Sequence, residues 1–183
     1  MSKKPDFKQR DELRGKSYSD YWPLISLIVI AASVGGSLAL NAPSGDLSLM
    51  HSWMHYFMGF FLCSLAMLKI FHPSAFADGF EMYDLLARHF RAYGYLYPFI
   101  ELALGLAYFS FWQMPWIYGA TIFIMTFGAF GVVSALRRGL DINCPCMGSV
   151  LEVPLSTVTL TEDIGMALMA GLMLAMGGGY GIL

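Results

Sequence analysis

Long runs of apolar residues separated by short polar stretches dominate this chain. A helix needs about 20 residues to cross ~30 Å of hydrocarbon, and five runs qualify. They extend from Tyr21 to Leu40, from Met50 to about Phe71, from about Tyr95 to Trp112, from Trp116 to Leu136, and from about Val158 to Met176. Trp22, Trp53, Trp112 and Trp116 fall near their ends, where amphipathic rings favour the headgroup region. Backbone groups in lipid need internal partners, so helices are expected rather than open strands. The pattern predicts an all-α polytopic membrane bundle of about five transmembrane helices, with residues 21–183 forming one transmembrane domain.

Between the second and third runs, Phe76, Phe80, Tyr83, Ala87 and Phe90 recur at helical spacing. This predicts an amphipathic helix from Ala75 to Arg91, lying on the membrane surface with Asp84 and Arg88 as an i,i+4 pair. Residues 1–20 mix lysines, arginines and acids with few large apolar residues, the signature of a flexible tail. The first run has a long charged leader and no convincing cleavage site after Leu40, so a retained anchor is expected.

Composition agrees with the pattern. Of 183 residues, 57% are hydrophobic and 13% charged, against about 25% charged in soluble domains; mean hydropathy is +0.57. A net charge of −2 with no basic stripe argues against nucleic acid. There is no GxGxxG, P-loop, HExxH or solenoid repeat. Lysine and arginine set orientation: six lie in the tail, Lys69, Arg88 and Arg91 flank the second connection, and Arg137 and Arg138 end the fourth run. The bias predicts a cytoplasmic N-terminus in a bacterial inner membrane, and an inward-facing segment after Arg138.

That segment holds Cys144-Pro145-Cys146. Two thiols so close either exchange a disulfide or share a soft metal ion. Proline limits how the sulfurs approach, and a strained small ring is readily reduced. In a reducing compartment the pair is expected to be transient rather than a permanent staple. Cu(I) or Hg(II) suits the same spacing, with Met147 as a weak thioether ligand. Spacing alone does not choose. Cys63, mid-span, reads as a packed small residue, with a relay thiol or an in-membrane ligand as the alternative.

Two further constellations stand in the spans. His51 and His55 share a helix face, as do Met50, Met54 and Met58; His51, Met54 and His55 are candidate ligands for metal entry. Glu101 lies inside the third run, where an ionisable group is costly and faces the bundle interior. Glu162 and Asp163 enter the fifth run from the same side. Glu101 is the candidate proton carrier beside Cys144 and Cys146. For Glu162 the bland alternative is helix capping, since Thr159-Leu160-Thr161-Glu162 fits the S/T-x-x-E pattern.

Three stretches carry a resemblance: Phe76 to Arg88, Arg91 to Gly105 with its Glu101-Leu102-x-x-Gly105, and Cys144-Pro-Cys146-Met-Gly148. With Val153 to Asp163 they resemble the MauE/DoxX family of redox-associated membrane proteins. The resemblance covers about Trp22 to Ala175. It implies a compact helical membrane bundle associated with thiol redox, and maturation of client proteins such as the disulfide-rich methylamine dehydrogenase. It lands on Glu101, Gly105, Cys144, Cys146 and Gly148, and not on His51 or His55. A thioredoxin-like partner or client is then expected, with Cys144 and Cys146 as the redox pair. Soft-metal delivery through Cys144, Cys146, Met147, His51, Met54 and His55 is the alternative.

Overall fold

The computed structural model describes residues 21–41, 48–112, 114–138 and 155–177. These form α1 (Trp22–Asn41), α2 (Leu49–Phe71), α3 (Pro73–Tyr83), α4 (Arg91–Phe109), α5 (Met114–Arg137) and α6 (Leu155–Gly177). No strand occurs among the described residues. Four helices, α1, α2, α5 and α6, are long and apolar enough to cross a membrane. The chain is a polytopic helical membrane bundle.

The third expected span is α4, shifted toward the N-terminus. It has 19 residues but is not among the four most apolar helices, because Tyr93, Tyr95, Tyr97, Pro98 and Glu101 interrupt its apolar run. Burial compensates. Tyr97, Glu101, Leu104 and Tyr108 point into the bundle, while Leu96, Phe99 and Leu106 on the other face are exposed.

Side-chain contacts fix the helix directions. Gly94 of α4 lies against Ala77 of α3, and Gly105 against Cys63 of α2. Farther along, the Tyr108 carbonyl accepts from His55 near the start of α2. Helix α4 therefore runs antiparallel to α2 across the bundle. Trp53 Nε1 donates to the Ala32 carbonyl, which ties α1 alongside α2. Tyr118 of α5 meets His51, and Gly131 of α5 meets Tyr83 and Asp84. Lys69, Arg88, Arg91, Arg137 and Arg138 thus gather toward one end, with His51, His55 and Tyr118 toward the other.

The expected surface helix is corrected at its C-terminal half. Helix α3 stops at Tyr83, and Asp84 takes extended backbone angles (φ −75°, ψ 139°). Its carboxylate accepts the backbone N–H groups of Leu86 and Ala87, both at 2.8 Å. A short acidic side chain competes with the helix for backbone donors, and here it wins. Burial still raises the Asp84 carboxyl above its ordinary range, against the pull of those two bonds. No Asp84–Arg88 ion pair forms among the described residues. Arg91 instead pairs with Asp78 and, at 3.8 Å, with Glu81. Phe76, Phe80, Tyr83 and Ala87 are buried as their spacing predicts, but Phe90 is exposed.

Helices α2 and α4 meet through small residues, the usual route to close approach in lipid. A Cβ built on Gly105 would lie 2.7 Å from Cys63 Sγ and 3.0 Å from the Gly59 carbonyl. Cys63 accordingly acts as a packing residue in this seam. Gly105→Ala should lower stability by about 1–3 kcal/mol, the usual range for overpacking. At Gly119 the same substitution meets nothing within 4 Å and should gain up to about 1 kcal/mol from helix propensity. Unfolding midpoints of the two variants in the same micelle give the comparison. Equal effects at both positions would remove the close-packed seam.

Candidate functional site

Four ionisable side chains from three helices meet inside the bundle. Lys69 stands near the end of α2, Glu101 in the middle of α4, and Glu162 and Asp163 lie two turns into α6. All four are at most 4% exposed. The Lys69 ammonium donates to both Glu101 oxygens, at 2.6 and 2.7 Å, and to Glu162 Oε1 at 3.4 Å. It also lies 5.7 Å from the Phe76 ring centroid and 5.3 Å from that of Tyr97, within cation–π range. Phe80 and Tyr83 complete the wall. Desolvating a charge in this setting costs several kcal/mol per ion, and the bidentate pair offsets it.

Each helix supplies its member for a local reason. Lysine near a helix C-terminus favours the dipole, yet Lys69 turns inward instead of reaching the headgroups. Lys69, expected to flank the second connection, does so from the end of α2 with its side chain buried. Its signal was present in the sequence: a lysine and a glutamate within spans need each other in hydrocarbon. Glu162 is not a cap. Helix α6 begins at Leu155, so Thr159 lies inside it, and Glu162 faces Lys69. Gly128 makes room for Asp163, since a Cβ there would sit 2.9 Å from Asp163 Oδ2.

Glu101 and Glu162, expected on the same side of the membrane, are therefore brought together. Cys144, Cys146 and Met147 lie outside the described residues. The segment that carries them joins the C-terminus of α5 to the N-terminus of α6.

The histidine pair forms a separate network toward the opposite end. His51 and His55 share a face, with ring centroids 5.1 Å apart, and both Nε2 atoms meet the Tyr118 hydroxyl, at 2.9 and 2.6 Å. His55 Nδ1 donates to the Tyr108 carbonyl at 3.1 Å. In a neutral ring Nε2 is then an acceptor, so Tyr118 donates to His55 and accepts from His51. Tyr108 continues the network by donating to Thr121, which donates to the Ile117 carbonyl. Phe111, in the left-handed region at φ 53°, stacks on His55 at 4.2 Å. Met54 is half-buried against the core and Met50 is exposed, so the methionine stripe does not act as one surface. Among the described residues no three His, Cys, Asp or Glu side chains converge as a metal-binding group.

The sequence model of the family described as methylamine utilisation protein MauE matches residues 47–176. No curated protein and no solved structure matches the chain.

Proposed function

The chain belongs to the MauE family of methylamine utilisation membrane proteins, and from that premise we propose that it is a thiol-redox component assisting maturation of partner proteins. Cys144 and Cys146 form the redox pair and Glu101 manages protons. One observation carries this reading. The Lys69–Glu101–Glu162 cluster lies at the end of the bundle where the chain passes from α5 to α6, the stretch that includes both cysteines. Glu162 is seven residues into α6, on the order of 10 Å along the axis at 1.5 Å per residue.

Thiol–disulfide exchange moves two electrons and two protons between the pair and a partner's cysteines. Only a thiolate attacks a disulfide, so a group that accepts the thiol proton within the membrane boundary speeds each exchange. The partner is a thioredoxin-like or client protein, such as a methylamine dehydrogenase. The cell membrane of a bacterium, with the N-terminus inside, is the setting that the charge bias supports.

Single Cys144→Ser and Cys146→Ser variants should each accumulate a mixed disulfide with a partner, because the remaining thiol has no neighbour to resolve it. Non-reducing gels of acid-quenched cells read the adduct, and the double serine variant should show none. If neither single variant yields an adduct, the redox reading fails.

A further inference from the structure

Away from the Lys69 cluster, His51, His55 and Tyr118 form a separate polar group inside the bundle. All three side chains are at most 3% exposed. Histidine within a span is costly and marks a function by default, and the thiol-redox reading does not use this trio.

Its geometry is that of a ligand set. Both imidazole Nε2 atoms converge on one oxygen, the Tyr118 hydroxyl, at 2.9 and 2.6 Å. Donors bound to a metal at about 2.0–2.1 Å lie about 2.9 Å apart at right angles and about 3.3 Å apart in a tetrahedron. A small opening of the 2.6 Å contact brings both nitrogens to that spacing from the oxygen.

The rings are also held as ligands are held. A metal-binding histidine ordinarily donates its second ring N–H to a carboxylate or carbonyl, which orients the ring and fixes its tautomer. His55 Nδ1 donates to the Tyr108 carbonyl in this way, so its Nε2 presents a lone pair to Tyr118. Phe111, the one non-glycine residue with positive φ among the described residues, stacks on the same ring at 4.2 Å. Strain of that kind persists only where the surrounding structure enforces it. On His51, Nδ1 makes no hydrogen bond among the described residues, so it is free to take a proton that Nε2 gives up.

We propose that His51 Nε2, His55 Nε2 and the Tyr118 oxygen bind one divalent transition-metal ion at the end of the bundle where α2 begins. Two imidazoles and a phenolate favour Cu(II) over Zn(II). The donors are nitrogen and oxygen, so the site needs neither Cys144, Cys146 nor the Met54 thioether. On binding, the ion replaces the Tyr118 hydroxyl proton, which leaves to solvent, while the His51 proton passes from Nε2 to Nδ1. One proton is released per ion, and the phenolate cancels one of the ion's two charges. The ion ties α2 to α5, the two helices that supply its ligands.

The full chain in lipid nanodiscs, carrying a tag without histidine, is titrated with Cu(II) and separately with Zn(II). The Cys144→Ser/Cys146→Ser protein is used, so that failure here stays separate from failure of the redox reading. One Cu(II) per chain should show electron paramagnetic coupling to two nitrogens and a visible phenolate-to-copper charge-transfer band. Tyr118→Phe should abolish the band, and each of Tyr118→Phe, His51→Phe and His55→Phe should weaken binding by about 100-fold, the upper range seen even for outer partners of a metal site. Met54→Leu should leave affinity unchanged. Calorimetry with Zn(II) in buffers of different ionisation enthalpy should count about one released proton. Zn(II) should also raise the parent's unfolding midpoint and not that of Tyr118→Phe. The parent's own spectrum reports the ligands, so the outcome does not depend on a variant's folding. No stoichiometric binding, copper without the phenolate band, as at the exposed His72 or His89, or affinity that survives Tyr118→Phe would each overturn the proposal.

Discussion

Lys69→Met lowers the stability of the bundle by about 3–5 kcal/mol, the range for removing one partner of a buried ion pair, and adding Glu101→Gln recovers much of the loss. The first substitution removes both hydrogen bonds that Glu101 accepts from Lys69 and leaves its carboxyl buried. That carboxyl must then either stay charged in hydrocarbon or take up a proton. The second substitution removes the stranded group instead, which is why the pair is expected to be strongly non-additive. Packing alone does not reproduce this pattern, since methionine retains most of the lysine stem and loses only the ammonium over Phe76 and Tyr97. Unfolding in mixed micelles, followed by helical circular dichroism across the four proteins of the cycle, supplies the numbers. Additive effects below about 1 kcal/mol each would mean that the pair is not coupled.

Most of the architecture was legible because hydrocarbon imposes length and composition directly. The runs at 21–40, 50–71, 116–136 and 158–176 each became one helix with ends moved by a few residues. The third run was less legible because Tyr97, Pro98 and Glu101 lie on the buried face of α4, where tyrosine, proline and glutamate are tolerated. Helix α3 ended early at Asp84 because a side chain outcompeted the helix for Leu86 and Ala87 N–H groups. Periodicity carries no information about that competition.

The site was half visible. A glutamate inside a span announced itself by cost, and Glu101 and Glu162 were correctly placed on one side. Lys69 escaped because lysine near a span end ordinarily snorkels to the surface, and only the facing carboxyls reveal that it turns inward. The Thr159–Glu162 capping pattern pointed the wrong way because a four-residue motif says nothing about whether a helix has already begun. The histidine spacing predicted a shared face but not Tyr118, which is 63 residues from His55 in sequence.

A membrane-impermeant maleimide added to intact spheroplasts should leave Cys144 and Cys146 unlabelled, and should label both in inverted vesicles under reducing conditions. The effect is all-or-none because sidedness depends on whether an odd or even number of helices crosses. Helix α4 decides the parity. If it did not traverse, the α5–α6 connection would face the other compartment. Its contacts settle the direction of travel, since Gly94 meets Ala77 at one end and Tyr108 meets His55 toward the other. The basic residues after position 20 then fall at a single end, with Lys69, Arg88, Arg91, Arg137 and Arg138 all on the side where α5 gives way to α6. Lysine and arginine are retained on the cytoplasmic side, so the thiols should open inward, toward a reducing compartment where the pair turns over. Labelling from outside in spheroplasts would reverse the bundle and place the pair where clients outside the cell membrane reach it directly. Protection on both sides, relieved by a chelator, would show instead that a soft metal holds the two sulfurs.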